Sequence, residues 1–484
     1  METEKCHIVM VPFMAHGHLI PFLALARQIL QNSSFSITIA NTPLNIHYLQ
    51  SAISSSPSPN LHLAPLPFHP TIHGLPPNTE NAEKVPPPLL ADLGLASLTL
   101  QPHLRALIST ITQQEARPPL CIIYDVFFGW VSDVAKSFGT KSICFTTCGA
   151  YGTIAYMSIW LNLPHRKTDS DEFYVPGFPQ HYRFHRTQLH RFLRRADGTD
   201  AWSRFFQPQI ALSMNSDAWI CNTVEEIEPL GLQLLRKFID SPVYCIGPLL
   251  PTDSGMNSKH RSGKESGIPL EDCLQWLNLN PKSSVLYISF GSQNSISETQ
   301  MMALAEGLEE SKKPFIWVIR PPLGFDINGD FKAEWLPLGF EDRIRESKRG
   351  LVIPKWGPQL EILSHESIGA FLSHCGWNSV LESLSNGVPI IGWPLGAEQA
   401  YNSKMLEEEM GVGVELTRTV ESVVTREKVK KVIEMVMEEE GRGKEMRKKA
   451  KEIAEMMRKA KREEEEEKGS SVRAMHDFVT TILS

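Results

Sequence analysis

The chain has 484 residues, more than a single hydrophobic core usually supports, so its length predicts two domains. Its composition, 42% hydrophobic and 21% charged, is that of a globular protein, and no apolar run approaches the ~20 residues of a membrane span. The net charge of −7 argues against nucleic acid as a partner, because phosphate binding needs a basic surface.

The N-terminal segment "METEKCHIVMVPF" begins with acidic residues, whereas a signal peptide needs a basic start, a longer apolar run and a cleavage site. The eight cysteines are scattered through apolar runs without a CxxC pair, so a zinc site is not expected. In a chain of this length they are typical of reduced core residues. We therefore expect a cytoplasmic monomer with no integral membrane segment.

Strand-like runs alternate with helical segments through the first half of the chain. The first run, "HIVMVPF", precedes a helix expected over residues 18–30, and "CIIYDVF" precedes one over 129–137. The other runs are "ITIANT", "SICFTT", "AWICNT" and "VYCIGPL". This alternation predicts an α/β domain with a mainly parallel sheet over residues 1–250.

A polar, Gly/Ser-rich stretch without periodicity follows residue 250 and predicts a linker over 251–270. Beyond it the alternation resumes with "SVLYISFGS", a helix expected over 298–310, "FIWVIR", "GLVIPKW", "GAFLSH" and "IIGW". A second α/β domain is therefore predicted over residues 271–462.

The C-terminal part is densely charged over residues 426–467, with apolar residues at helical spacing. Helices with one docked face are the favoured interpretation, and an interaction tail is the alternative. The last stretch, "SSVRAMHDFVTTILS", has the pattern of an amphipathic helix. We expect residues 463–484 to return to the N-terminal domain.

Two polar residues follow strands of the N-terminal domain. In "AHGHLIP", Gly17 allows a tight turn and His18 opens a helix, and Asp125 ends the buried run "CIIYD". A helix-start histidine that only forms a hydrogen bond is the alternative. Because both residues lie at carboxyl ends of strands in one sheet, and a buried carboxylate needs a partner, they are expected to meet. A histidine oriented by an aspartate is the arrangement of a general base.

The stretch "HCGWNSVLESLSNGVP" at 374–389 lies between two apolar runs, "IGAFLS" and "VPIIGW". Residues 377–384 have the pattern of a short helix, and Asn386-Gly387 is a usual helix stop. The order strand, tight turn, helix, strand places the turn at the carboxyl edge of a sheet, where open α/β folds bind ligands.

The side chains of this turn suit a nucleotide diphosphate. Helix N-termini attract anions, and Asn378 and Ser379 add donors in the first turn. Glu382 lies one turn further on, within reach of a vicinal diol such as a ribose, and His374 faces the same anion. Ser292, in "SFGS", ends another strand. Each residue alone is more often a cap or turn residue, but together they predict a nucleotide diphosphate site.

Other nucleotide and catalytic motifs are missing. The sequence has no GxGxxG between a strand and a helix, no GxxxxGK[ST] and no GxSxG. Its one DxD string, Asp169-Ser170-Asp171, lies in a polar loop and is more typical of solvated surface than of a metal site. We expect neither a metal nor a cofactor.

The segment from Trp356 to Gln399 closely resembles the C-terminal signature box of plant secondary-product UDP-glycosyltransferases, which form glycosyltransferase family 1. The resemblance extends to the GH turn, "IIYDVFFGW", "CNTVEEIEP", "YCIGPLLP" and "LYISFGS", and so covers nearly the whole chain. It implies the GT-B fold, an α/β fold of two Rossmann-like domains with parallel sheets that face each other across a cleft.

The resemblance implies roles for the donor-site residues. Trp356 would stack on uracil, Gln359 would contact the base edge and Glu382 would bind the ribose hydroxyls. Phosphate contacts are implied for Ser292, His374, Asn378 and Ser379. Sugar contacts are implied for Trp377, Glu398 and Gln399. The turn glycines Gly357 and Gly376 belong to the same UDP-sugar set.

The same resemblance implies a mechanism. His18 would be the catalytic base and Asp125 its partner, with Gly17 in the turn and Thr147 approaching the sugar. The acceptor oxygen would displace UDP with inversion, and the helix N-terminus and His374 would receive the developing charge without a metal. The expected donor is UDP-glucose and the acceptor a small lipophilic hydroxyl compound such as a flavonoid, another phenolic or a terpenoid.

Two positions depart from the signature. Gly357 replaces the usual alanine, which should matter little, and Glu398 replaces the usual aspartate, which moves the carboxylate expected to bind sugar hydroxyls. Gln399 would offer both an amide donor and an acceptor to adjacent hydroxyls. The choice between glucose, xylose and other sugars is therefore left open.

Two other functions remain as alternatives, a sugar-nucleotide epimerase on the same architecture and a catalytically silent binder of small lipophilic compounds. The acceptor site is expected to come from residues 71–100 and 150–200, which are loop-rich and aromatic. Apolar sites discriminate weakly between similar ligands, so the sequence does not identify the acceptor.

Overall fold

The computed structural model describes residues 6–31, 33–54, 57–250, 266–419, 421–464 and 467–484. The chain groups into two compact units. The first contains Met1–Arg183, Phe192–Gly263 and Ala460–Ser484, and the second contains Phe184–Arg191 and Lys264–Lys459. Most of the linker predicted over 251–270 lies outside the described residues, which resume at residue 266. The sequence did not predict that Phe184–Arg191 would group with the second unit.

The described strands of the first unit form a parallel seven-stranded sheet in the order β3-β2-β1-β4-β5-β8-β9. They are β1 His7–Val11, β2 Ser36–Asn41, β3 Leu61–Pro65, β4 Cys121–Asp125, β5 Lys141–Thr146, β8 Ala218–Cys221 and β9 Val243–Cys245. Two short strands, β6 Glu172–Phe173 and β7 Phe184–His185, lie outside this sheet. The central strands are buried along their whole length, as expected for a parallel sheet covered by helices on both faces.

The described strands of the second unit form a parallel six-stranded sheet in the order β12-β11-β10-β13-β14-β15. They are β10 Val285–Ser289, β11 Phe315–Ile319, β12 Gly350–Pro354, β13 Ile368–Ser373, β14 Ile390–Gly392 and β15 Gly413–Glu415. The parallel sheets in both units confirm the α/β class and the two parallel-sheet domains that the sequence predicted.

Helices follow most of these strands. In the first half of the chain they are α1 His16–Gln31, α2 Pro43–Ile53, α3 Leu90–Ser97, α4 Gln101–Glu115, α5 Trp130–Ser137, α6 Ala150–Asn162, α7 Arg191–Arg195, α8 Ala201–Ser213 and α9 Pro229–Phe238. In the second half they are α10 Leu270–Asn278, α11 Glu298–Ser311, α12 Phe340–Glu346, α13 Gln359–Ser364, α14 Trp377–Ser385, α15 Gln399–Glu408, α16 Arg426–Val436, α17 Gly441–Ala460 and α18 Ser470–Leu483. Among the described residues, no helix is long and apolar enough to cross a membrane.

The C-terminal helix α18 packs within the first unit. Met475, Phe478 and Ile482 are buried in the same core as strands of the first sheet. The Thr481 hydroxyl lies 2.7 Å from the Tyr244 hydroxyl on β9, and the Thr481 carbonyl accepts a hydrogen bond from Lys141 at 2.7 Å. The amphipathic helix α18 therefore buries its apolar face against the first sheet.

Each sheet has one point where the strand order reverses direction. In the first sheet this point lies between β1 and β4, which pair directly, and in the second it lies between β10 and β13. Loops that leave the carboxyl ends of neighbouring strands diverge at such a point and leave room for a ligand. These two positions are where the sequence placed its candidate residues.

Candidate active site

His18 and Asp125 meet at the strand-order reversal of the first sheet. Helix α1 begins at His16, two residues before the predicted start, because the Ala15 carbonyl accepts hydrogen bonds from the amides of both His18 and Leu19 at 2.9 Å. His18 therefore lies in the first helical turn. Its Nδ1 is 2.6 Å from Oδ2 of Asp125, the last residue of β4, whose side chain is not exposed to solvent.

The environment of Asp125 fixes the tautomer of His18. Oδ1 of Asp125 accepts the Phe127 amide at 3.0 Å, so the carboxylate is held on both oxygens. Nδ1 of His18 donates to Oδ2, which puts the lone pair of the imidazole on Nε2. The His18 side chain is 22% exposed, so the ring is accessible. A partly exposed imidazole with an oriented lone pair can accept a proton from a hydroxyl.

Thr147 lies beside this pair. It follows β5, the strand next to β4, and its Oγ1 is 3.4 Å from Nδ1 of His18. The side chain is nearly buried. The structure thus brings together three residues that the sequence placed at the ends of β1, β4 and β5.

An aromatic cluster extends from His18. The rings of Phe13 and Phe127 have centroids 5.4 and 5.7 Å from that of His18. Phe127 contacts Phe206 edge-to-face at 4.9 Å, and Phe206 stacks on Trp202 at 5.7 Å. Phe13, Phe127 and Trp202 are each half-buried, so these rings offer an apolar surface to a ligand next to the imidazole.

The acceptor site was expected in residues 71–100 and 150–200, and the cluster lies partly in the second of these segments. Of the cluster, Tyr156 on α6 lies in the second of these segments, with its ring 6.1 Å from that of Phe127. Phe13, Phe127 and Trp202 lie outside both. Phe13 and Phe127 could have been predicted from the sequence, because each lies two residues after the end of a strand, β1 or β4.

Three residues predicted for the donor site are joined by hydrogen bonds in the second unit. Nε2 of Gln359, at the start of α13, donates to Glu382 Oε2 at 2.7 Å and to Ser379 Oγ at 3.0 Å. The Tyr287 hydroxyl donates to the other end of the Gln359 amide at 3.3 Å. Ser379 and Glu382 lie one turn apart on α14 and are largely buried. Gln359, Ser379 and Glu382, which were predicted to contact the base edge, a phosphate and the ribose, therefore form one hydrogen-bonded cluster.

The loops after β10 and β13 meet at the ring of His374. A methyl group on Gly291 would lie 2.6 Å from Nε2 of His374, and one on Gly376 would lie 2.4 Å from the same atom. Gly291 also has φ +75, a conformation that favours glycine. The imidazole is thus enclosed between the "SFGS" turn and the turn that starts α14, at the strand-order reversal of the second sheet.

His374 is a neutral group at physiological pH. Burial lowers its pKa to about 4, and the positive charge of Arg320 acts in the same direction. Among the described residues its Nδ1 has no hydrogen-bond partner. An uncharged imidazole supplies a hydrogen bond to an anion but no net charge, which limits the electrostatic role that the sequence suggested for it.

Arg320, after β11, is a charged residue that the sequence analysis missed. Its guanidinium donates to the Ser292 carbonyl at 2.6 Å and to the Asn294 carbonyl at 3.2 Å. It therefore holds the loop that carries Ser292 and places a permanent positive charge there. The arginine at the end of "FIWVIR" was the available signal, since a strand-end cation lies at the ligand edge of a parallel sheet.

Glu398 and Gln399 lie at the start of α15, and their polar atoms are partly engaged. Oε1 of Gln399 accepts the amides of Leu395 and Gly396, both at 2.9 Å. The expectation that its amide offers both a donor and an acceptor is therefore wrong, because the NH₂ group alone remains for a ligand. Oε1 of Glu398 accepts a hydrogen bond from Asn402 at 3.3 Å, and Asn402 also donates to the Cys375 carbonyl at 3.0 Å.

The remaining predicted residues lie on the same edge of the second unit. Trp356 and Gly357 precede α13, where the Gln359 amide donates to the Gly357 carbonyl at 2.9 Å. Trp377 is buried and Asn378 half-buried in the first turn of α14. Ser292 is half-buried after β10.

The acidic side chains of the DxD string lie on the surface. Asp169 and Asp171 are both exposed. Within the part of the chain that the structure describes, no group of three or more His, Cys, Asp or Glu side chains is arranged to hold a metal ion.

Two family models match the chain. Residues 4–251 match "Glycosyltransferase, N-terminal domain", and residues 224–450 match "UDP-glucoronosyl and UDP-glucosyl transferase". Crocetin glucosyltransferase 3 of Crocus sativus is 47% identical over 442 residues, which cover 90% of this chain and 91% of that protein. UDP-glycosyltransferase 92A1 of Arabidopsis thaliana is 42% identical over 490 residues, covering 100% of this chain and 98% of that one.

Solved structures of the same architecture are similar over the full length. The Glycyrrhiza uralensis protein UGT73P12, complexed with glycyrrhetinic acid 3-O-monoglucuronide, matches with a TM-score of 0.83 and 29% identity over 99% of this chain and 96% of that one. The Medicago truncatula protein UGT71G1, complexed with UDP-glucose, matches with a TM-score of 0.79 and 26% identity over 99% of each chain.

Proposed function

Because the chain belongs to the UDP-glucoronosyl and UDP-glucosyl transferase family, we propose that this transferase moves glucose from UDP-glucose to a hydroxyl group of a small lipophilic acceptor. The observation that carries the proposal is the 2.6 Å contact between His18 and a fully buried Asp125. A protein that only binds lipophilic compounds does not need an oriented base at that position. In a transferase, His18 can take the proton of an acceptor hydroxyl while Asp125 orients it.

The reaction is an inverting displacement. Nε2 of His18 takes the proton of the acceptor hydroxyl, and Asp125 stabilises the imidazolium that results. The acceptor oxygen forms a bond to the anomeric carbon while the bond from that carbon to the diphosphate oxygen breaks. The electron pair leaves with UDP, and attack opposite the leaving group gives a β-glycoside.

The second unit supplies the donor chemistry. Gln359, Ser379 and Glu382 suit the base edge, a phosphate and the ribose hydroxyls, and their mutual hydrogen bonds hold them in place before the donor binds. Negative charge that develops on the leaving diphosphate is met by the N-terminus of α14 and by the loop that Arg320 holds. Because these groups replace a metal ion, the reaction is proposed to need none.

The aromatic cluster supports an acceptor with a flat apolar body. Phe13 and Phe127 flank His18, so a phenolic ring stacked against them would place its hydroxyl near the imidazole. A cytoplasmic location is proposed because six of the cysteines, Cys121, Cys144, Cys221, Cys245, Cys273 and Cys375, are buried thiols, which fits a reducing compartment.

The test of this function is a panel of flavonoids, simple phenols and terpenoid alcohols, each supplied with UDP-glucose while UDP release is followed. Transfer predicts UDP release that depends on the acceptor. Binding of the acceptors without any UDP release would establish the silent binder, and conversion of the sugar nucleotide without an acceptor would establish the epimerase.

Activity is expected to survive excess EDTA, because protein groups meet the diphosphate charge. The measurement compares initial rates after exhaustive chelation with rates after addition of Mg²⁺ or Mn²⁺. A rate that falls to background with EDTA and returns with either ion would contradict the prediction and would direct attention to the Asp169–Asp171 loop.

UDP-glucose is expected to be preferred over other donors, with UDP-xylose, which lacks the hydroxymethyl group, second. The NH₂ group of Gln399 donates to a sugar hydroxyl and the Glu398 carboxylate accepts from a neighbouring one. Loss of one such charged hydrogen bond costs about 1.5–3 kcal/mol, which is roughly tenfold to a hundredfold in preference. Competition among UDP-glucose, UDP-galactose, UDP-xylose and UDP-glucuronate over one acceptor measures the order. A clear preference for glucuronate would overturn the sugar assignment.

A further inference from the structure

Glu228 is a buried carboxylic acid in the first unit that the proposed chemistry does not use. It lies between β8 and α9, in the segment "CNTVEEIEP", and only 2% of it is exposed. Oε2 accepts the amide of Ala150 at 3.1 Å, and Oε1 accepts the amide of Tyr151 at 3.0 Å. The Thr223 hydroxyl donates to Oε2 as well. One side chain thus binds two backbone amides in the first turn of α6.

The start of α6 is held by further contacts from the same segment. A methyl group on Gly231, in the first turn of α9, would lie 2.5 Å from the Tyr151 nitrogen, so the two helices touch through backbone there. The Cys221 thiol at the end of β8 lies 3.4 Å from the Cys148 carbonyl. The loop of residues 147–149, between β5 and α6, is therefore fixed at its end by β8 and α9.

This loop carries Thr147, whose hydroxyl lies 3.4 Å from Nδ1 of His18. Thr147 is three residues before Ala150, whose amide is the first that Glu228 binds. A shift in the first turn of α6 therefore moves Thr147 relative to the His18–Asp125 pair. Displacement of a group at a reacting centre by about 1 Å can cost roughly a hundredfold in rate.

The burial of the Glu228 carboxyl group is unfavourable for its charged form. Desolvation raises its pKa to about 7, although the hydrogen bonds from Thr223, Tyr151 and Ala150 act in the opposite direction. The thiols that face it, Cys221 and Cys245, also have raised pKa values because of burial, and they remain uncharged. A purely apolar side chain would avoid this cost but would leave two helix amides without acceptors.

We propose that Glu228 is a positioning residue for catalysis, which clamps the first turn of α6 and thereby fixes Thr147 beside the His18–Asp125 pair. The proposal rests on the proposed function of His18 as the base. Glu228 touches neither substrate nor the reacting atoms in this role, and it acts through the loop of residues 147–149.

The test compares Glu228→Gln with the wild type in the full-length protein. The amide keeps the shape and one acceptor, but its NH₂ group must face one of the two helix amides or the Thr223 hydroxyl. We expect kcat for transfer to fall about tenfold, with the donor KM within about twofold of the wild-type value. Hydrogen exchange at the amides of Ala150 and Tyr151 should become about tenfold faster, with exchange elsewhere in the first unit unchanged.

Two further comparisons make the test specific. Thr223→Val removes a hydroxyl donor to the carboxyl group and should give a smaller change of the same kind, whereas Thr223→Ser restores the hydroxyl and should behave as the wild type. Glu225→Gln is the matched control, because Glu225 lies in the same segment but is half-exposed and paired with Arg236 at 2.9 Å. It should change neither kcat nor exchange.

Unchanged kcat and unchanged exchange at α6 in both Glu228→Gln and Thr223→Val would overturn the proposal. Faster exchange across the whole first unit would also overturn it, because the residue would then serve general stability. The exchange measurement does not depend on the reaction. If His18→Ala keeps its activity, the base assignment fails while faster exchange confined to α6 still shows the clamp.

Discussion

Replacing His18 with alanine should lower kcat for transfer by roughly 10²–10⁴-fold, the usual contribution of a positioned general base. Its Nδ1 is hydrogen-bonded to Asp125 at 2.6 Å, so the imidazole has a defined tautomer with its lone pair on Nε2. UDP affinity should remain within about twofold, because the predicted nucleotide contacts belong to the second unit. Initial rates with the best acceptor and calorimetry with UDP measure the two quantities.

The control for this experiment lies in the same turn. His16 forms a second histidine–carboxylate contact, with Nδ1 2.6 Å from Oε2 of Glu83. His16→Ala should keep kcat within about twofold of the wild-type value. If UDP affinity falls together with activity in His18→Ala, the residue serves the donor, and its assignment as the base is wrong.

Glu382→Gln should raise the donor KM by roughly tenfold to a hundredfold, since a hydrogen bond to a charged group contributes about 1.5–3 kcal/mol. The Glu382 carboxylate is largely buried and accepts a hydrogen bond from the Gln359 NH₂ group at 2.7 Å. In Glu382→Gln an NH₂ group replaces one carboxylate oxygen, so one hydrogen-bond acceptor is lost and the new NH₂ group can face the NH₂ group of Gln359. The value of kcat at saturating donor should change little, because the ribose is remote from the reacting carbon.

A comparison of UDP with 2′,3′-dideoxy-UDP shows whether Glu382 acts on the ribose. The wild type should discriminate between them, and Glu382→Gln should lose most of that discrimination. Glu366→Gln serves as the matched control, because the Glu366 side chain is 74% exposed in the same unit. Equal discrimination in Glu382→Gln and the wild type would show that another group binds the ribose hydroxyls.

The meeting of His18 and Asp125 was predictable although 107 residues separate them. Each follows a continuous apolar run, and the carboxyl ends of parallel strands share one edge of a sheet, so strand recognition alone brought them together. The same reasoning applied to Ser292 and His374, which follow β10 and β13. Local pattern and strand polarity were sufficient for His18 and Asp125, and they also placed the Gly291 turn next to the ring of His374.

Other features depend on packing that no local pattern describes. Trp202 reaches the aromatic cluster from α8, and its place there is set by how α6 and α8 pack. The grouping of Phe184–Arg191 with the second unit likewise depends on contacts with distant residues, such as the 5.8 Å approach of Phe184 and Tyr401.

Short strands and occupied side chains also escaped the sequence analysis. β3 and β15 lie at sheet edges, and Leu61–Pro65 is only partly buried, so it has no apolar run to mark it. The sequence suggested that both the oxygen and the NH₂ group of the Gln399 side chain could contact a ligand. In the structure the backbone amides of Leu395 and Gly396 donate hydrogen bonds to that oxygen. Such local backbone contacts depend on turn geometry, which residue type does not fix.

The most direct measurement of the central claim quantifies both products of one reaction with UDP-glucose and the best acceptor. Equal amounts of UDP and glucoside are expected, with a β-anomeric product by NMR, and His18→Ala should form the glucoside roughly 10²–10⁴-fold more slowly than the wild type. An α-anomeric product, or UDP released without a matching glucoside, would contradict the inverting transfer proposed for this protein.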